Sequence, residues 1–183
     1  MEVKGVAFLA RQQMTVQSHG EQAWKDFIAD IKKREPVFTL PILPVTRIPV
    51  DAFLRFNEEL LQRFYSGDPN AWWQFGIKSA EYALGQGQLK AMFSPGDFRR
   101  FLFFTPGIWK GYFTAGELEV LPGQGHTDLH IIKVPKPHVY FELSVMGFAW
   151  GGLTVLGAKD LKHEVLKGYT RGDPDVLYRF NVS

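Results

Sequence analysis

FELSVMGFAWGGLTVLGA (residues 141–158), with LKHEVLKGYT (161–170) and DVLYRFNV (175–182) behind it, is the stretch that decides the fold. The first run is apolar and long enough for a helix. The two that follow are short and rich in Val, Leu, Tyr and Phe, as strands are. Arg171-Gly172-Asp173-Pro174 between them reads as a turn, so a helix leads into a hairpin. Gly147, Gly151 and Gly152 leave three places on that helix where another element can approach the backbone closely.

Upstream, residues 117–120 and 127–134 alternate as strands, and Pro122-Gly123-Gln124-Gly125 joins them as an earlier hairpin. Before it, FRRFLFFTPGIWKGYF (98–113) is the densest aromatic run, which Pro106-Gly107 kinks or divides. Residues 70–84 put Trp72, Phe75, Gly76, Ser79, Ala80 and Ala83 on one helical face, and Gly85-Gln86-Gly87 ends that helix. An earlier helix, capped by Asp51, carries Phe53, Leu54, Phe56, Leu60, Leu61 and Phe64. Pro36, Pro41, Pro44 and Pro49 argue against a helix over residues 35–50, which are expected to be extended and irregular. That segment is nevertheless apolar (Val37, Phe38, Leu40, Ile42, Leu43, Val45, Ile48) and is expected to pack. Trp24, Phe27, Ile28 and Ile31 form the buried stripe of another helix, with Ser18 and Glu21 matching a capping box at its start. Residues 3–9 read as a short strand or the entry to a helix.

Helices, a hairpin, a helix and a second hairpin make an α+β fold: an antiparallel sheet packed on one face by helices, expected as a single domain over 1–183. The length suffices for a sizeable core, and 45% apolar with 22% charged residues is a globular composition. A net charge of +2 gives no global field toward nucleic acid. With no cysteine, disulfides, thiol catalysis and Cys-ligated zinc are excluded. Charges, glycines or prolines interrupt every apolar run that approaches a membrane span, and residues 1–13 lack a signal-peptide pattern. The expectation is a soluble, cytoplasmic protein.

In the stretch quoted first, helix, strand, Gly-Asp turn and aromatic strand in that order resemble the 4-vinyl-reductase-type small-molecule-binding domain, with Gly172 and Asp173 in its turn. Gly168 and Val176 stand where that family has metal-binding cysteines, so no metal residue and no cofactor is carried over. HGEQAW (19–24) and GDPNAWWQFGIKSAEYAL (67–84), with KGVAFL near the start, also resemble an uncharacterised standalone family known chiefly from myxobacteria. The resemblance implies a ligand-binding fold of the kind seen in heme-dependent nitric-oxide sensors and trafficking-complex subunits. It also implies a homodimer and an apolar cavity between helices and sheet.

No nucleophile elbow and no phosphate loop occurs. His126, Asp128 and His130 alternate and would share one strand face, as two imidazoles and a carboxylate for a metal or as a plain solvated face. His138 and His163 stand alone. The ligand-binding candidates are Trp109, Tyr112, Phe148 and Trp150, whose rings would wall an apolar pocket or simply fill the core. The sequence therefore points to a non-enzymatic small-molecule-binding or sensory domain. The alternative is a scaffold whose exposed aromatics bind a protein partner.

Overall fold

The computed structural model describes residues 1–87 and 89–182. The chain forms two compact units, Met1–Ala71 with Gly111–Thr114, and Trp72–Lys110 with Ala115–Ser183.

The first unit holds β1 (Glu2–Lys4), α1 (Gly5–His19), α2 (Glu21–Arg34), a short 3-10 helix (Pro36–Thr39), β2 (Arg47–Pro49) and α3 (Val50–Tyr65). β1 and β2 pair antiparallel with Val3 opposite Ile48, and Val3 also bridges Phe113. Several of the chain's 16 phenylalanines form core here. Phe56 lies 5.1 Å from Phe8, 5.4 Å from Phe38 and 5.6 Å from Phe27, ring centre to ring centre.

Four local expectations change in this unit. Residues 3–9 divide at Lys4 between β1 and α1, and α1 then runs on to His19. The Ser18–Glu21 capping box does not form, because Ser18 belongs to α1 and Gly20, at φ 89°, is the residue before α2. Gly20 N–H donates to the Val16 carbonyl while its own carbonyl accepts from Trp24, so one glycine ends one helix and begins the next. Asp51 is not the cap of α3 either; Pro49 holds that position and Asp51 sits in the first turn, where a carboxylate suits the helix dipole. Lastly, residues 35–50 pack only in part. Phe38 and Ile48 are buried, but Leu40, Leu43 and Val45 are 72%, 60% and 78% exposed. The reason is that the loop turns its backbone inward. Thr46 and Pro44 carbonyls accept from Gly5 and Val6, two first-turn amides of α1 that lack helical partners.

The second unit holds α4 (Asn70–Gly85) from Trp72 onward, α5 (Phe98–Tyr112) as far as Lys110, β3 (Glu117–Pro122), β4 (Thr127–Ile132), α6 (Val139–Val155), β5 (Lys162–Lys167) and β6 (Val176–Asn181). The sheet runs β3-β4-β6-β5, antiparallel throughout, and contains both expected hairpins. Leu118, Leu129, Ile131, Val176, Tyr178 and Phe180 are buried. α5 runs unbroken through Pro106. Proline cannot donate to the carbonyl four residues back, that of Leu102, and the Thr105 hydroxyl donates to it instead at 2.7 Å.

α6 and α4 touch backbone to backbone. A Cβ built on Gly76 would lie 2.2 Å from the Ser144 carbonyl oxygen, one on Gly147 2.3 Å from that of Trp73, and one on Gly151 2.7 Å from the Ile77 Cα. The small residues read from the sequence on both helices thus meet each other. Gly147→Leu is expected to destabilise the protein by about 3 kcal/mol or more, the upper end of overpacking costs. Gly85→Ala, with open space around the added methyl, should instead leave stability unchanged or raise it by up to about 1 kcal/mol. Urea midpoints of the two variants provide the comparison.

Candidate functional site

The turn that follows β5 is organised by a carboxylate. Glu142, fully buried in the first turn of α6, accepts from the Thr170 N–H, the Thr170 hydroxyl and the Tyr178 hydroxyl, each at 2.8 Å. Gly168 makes room for it, since a Cβ there would sit 2.5 Å from Glu142 Oε1. Gly168 N–H donates to Asp173 Oδ2 at 2.8 Å, and Gly172 takes φ 81°. The sequence placed Gly172 and Asp173 in this turn but gave Glu142 no role. The one available signal was an acidic residue inside an otherwise apolar helix.

Burial pushes the Tyr178 phenol above its ordinary pKa, as does its bond to Glu142. Burial also raises Tyr169, to about 12, with the Asp175 and Glu142 carboxylates adding to it. Its hydroxyl is buried without a partner.

Only Asp128 and His130 share a face of β4; His126 stands in the turn before it, and the atoms of the three are engaged separately. Arg179 grips Asp128 with two bonds, 2.9 and 3.0 Å. His130 Nε2 bonds Asp175 at 2.7 Å, and Lys167 reaches the same oxygen at 3.2 Å. Burial raises the Asp175 pKa, but those two partners outweigh it and hold the carboxyl below its usual range. Among the described residues no group of three or more His, Cys, Asp or Glu is placed to hold a metal ion.

The four ring residues named from the sequence have different surroundings. Trp109 is 2% exposed and its indole N–H donates to the Gly116 carbonyl at 3.0 Å, tying α5 to the start of β3. Phe148 is buried and stacks on Phe101 at 6.2 Å. Trp150, two positions further along α6, contacts a different set, Trp73 at 6.2 Å and His163 at 5.2 Å. Tyr112 lies in the first unit beside Phe113. Phe148 and Trp150 thus point to different neighbours, as a two-residue helical step requires.

The second unit also contains a cleft of about 330 Å³, between the first turn of α5, the β3–β4 turn and the end of β6. Phe98, Leu102, Phe180 and Val182 supply apolar wall, and Arg99 and His126 stand among them.

No family model matches the sequence, and no curated protein matches it. Solved structures do match. The chain has a TM-score of 0.74 to an H-NOX protein from S. oneidensis in the Fe(II)NO ligation state, at 13% identity, covering 98% of this chain and 99% of that one. An H-NOX domain from Shewanella oneidensis in the Fe(II)CO state gives 0.70 at 13%, covering 98% of both chains. A structure from a study of heme distortion in the H-NOX family gives 0.72 at 14%, covering 98% of this chain and 95% of that one. The fold is therefore that of H-NOX domains, an α+β fold as read from the sequence. The likeness to 4-vinyl-reductase-type domains, and to the standalone myxobacterial family, is corrected by these findings. Its turn motif is a Gly-Asp turn closed by Glu142 and Asp173, an arrangement that demands no common family.

Heme is named with these neighbours, so the residues here must be tested against it. Iron held by a protein takes a His, Cys, Met or Tyr axial donor, and this chain has no cysteine. α5 buries Phe101, Leu102, Thr105 and Trp109, none of them such a donor. The Phe101 ring occupies the space above Gly152, 2.1 Å from where a Cβ would be, so carbon fills the α5–α6 layer. His19 stacks on Phe64 at the exposed end of α1, His126 lies over Gly123 in a turn, and His130 is held by Asp175. His138 Nδ1 accepts from Tyr140 N–H as the cap of α6. His163 is exposed with Trp73 and Tyr178 rings beside it, and partial burial there lowers its pKa. These histidines do not fit a heme.

Tyr178→Phe should cost about 1–2 kcal/mol at pH 7 by removing a donor from Glu142, whereas Tyr169→Phe, which removes a buried hydroxyl without a partner, should leave stability unchanged or raise it by about 1 kcal/mol. The Tyr169 phenol ionises near 10 when unfolded and at about 12 when folded, so the unfolded chain loses that proton first. Its stabilising share is complete below pH 10 and is lost as pH rises toward 12. Denaturant titrations across that window should show a shallower decline in Tyr169→Phe.

Proposed function

We propose that the chain is a non-enzymatic, heme-independent small-molecule-binding domain of sensory type, with its two units acting as one domain. The observation that carries this reading is an H-NOX fold over 98% of the chain combined with histidines that each have another engagement or an exposed position. A non-enzymatic role is supported by His130, the histidine bonded to a carboxylate, whose second ring nitrogen faces Glu119 at 3.8 Å rather than a hydroxyl nucleophile. No helix among the described residues is long and apolar enough to cross a membrane. The scaffold reading has one specific observation in its favour, the outward Leu40, Leu43 and Val45, which suit docking of a protein partner or a second copy.

Hemin titration followed by absorbance near 400 nm tests the proposal. The expected result is no saturable one-to-one Soret band, with an apolar organic molecule retained in native mass spectrometry. A sharp stoichiometric Soret band that disappears on substituting a single histidine would overturn it.

A further inference from the structure

We infer that the cleft between the first turn of α5 and the β3–β4 turn binds a small organic monocarboxylate, apolar body inward and carboxylate toward Arg99. This deepens the ligand-binding reading and rests on it. The volume of about 330 Å³ falls in the range of small-molecule sites. Phe180 and Leu102, 1% and 2% exposed, lie on its inner side, with Phe98 and Val182 also lining it.

Among the lining side chains Arg99 carries a full positive charge, and His126 and Thr127 are polar. Arg99 is exposed, its guanidinium lies 5.6 Å from the Phe103 ring centre, and it has no carboxylate partner among the described residues. Its neighbour Arg100 differs, lying 3.7 Å from Asp97. A planar guanidinium braced by a ring is suited to accept a carboxylate with two parallel bonds. His126 stands across the cleft with its Nδ1 3.1 Å from the Gln124 carbonyl, so Nδ1 carries the proton and donates. Its other nitrogen is 3.9 Å from Asp128, beyond a hydrogen bond, and Asp128 itself is engaged by Arg179. The ring sits where it does because Gly123 has no side chain, since a Cβ there would lie 2.1 Å from Nε2. The first turn of a helix on the cleft wall adds a positive partial charge. Apolar lining beside an unpaired arginine selects an amphipathic anion over a bare inorganic one.

The test uses the full chain, labelled with ¹⁵N, titrated with 4-phenylbutyrate, with the neutral 4-phenyl-1-butanol and with inorganic phosphate. Saturable shifts at Gly123, Gly125, Thr127 and Arg99 are expected with phenylbutyrate. Affinity should be about tenfold lower for the alcohol, and about tenfold lower for phenylbutyrate with Arg99→Gln, a surface change that leaves the fold intact. Phosphate should not compete. Gly123→Ala, which displaces the His126 ring, should weaken phenylbutyrate as well. Equal affinity for the alcohol, an unaffected Arg99→Gln variant, competition by phosphate, or no saturation below about 10 mM each overturns the assignment. A native-state apolar molecule retained while phenylbutyrate fails would sink this cleft and leave the broader ligand-binding reading standing.

Discussion

Helix α6 lies where it does only because Gly76, Gly147 and Gly151 lack side chains. With the α4 and α6 backbones in contact, α6 occupies a fixed position and the rest of its unit follows from it. Its first turn delivers Glu142 to the turn after β5, which orients β6 through Tyr178. Its far end offers Gly152 as the seat for Phe101, which positions α5. A fully buried carboxylate is costly unless every lone pair in reach has a donor. Glu142 meets that condition with three donors from two other elements, and so it specifies one arrangement of helix, turn and strand.

Much of this was legible in the sequence, because it rests on periodicity. The apolar run before two short strands, the glycine turns and the Gly76–Ala80–Ala83 face appear as read. What failed were local caps, where more than one backbone solution exists. Ser18 and Glu21 have capping-box spacing, yet the preceding residues are helical themselves, and a glycine at positive φ joins two helices more directly than a serine cap does. Residues 35–50 misled for another reason. Apolar content predicts burial only if side chains face inward, and here the backbone carbonyls are needed at the start of α1, so Leu40, Leu43 and Val45 face out.

The site was less legible than the fold. Ring content alone does not distinguish a cavity wall from a core, and Trp109 and Phe148 have the burial and ring contacts of core residues. The family resemblance rested on a Gly-Asp turn whose shape has a local cause. Gly172 supplies positive φ, the Asp173 carboxylate accepts from Gly168, and Glu142 binds Thr170. Any chain that solves the same turn in the same way would carry that pattern, so it speaks for geometry and not for descent.

The H-NOX likeness carries the same lesson about function. A fold is set by which faces are apolar and where backbones meet, whereas heme retention depends on one donor atom in one cavity. Here the helix layer beside the sheet has Phe101 over Gly152, and the histidines serve as a cap, a partner of Asp175 and turn or surface rings. The same fold with carbon in that layer has its remaining polar recognition at the sheet end of α5, where Arg99 and His126 stand among apolar residues.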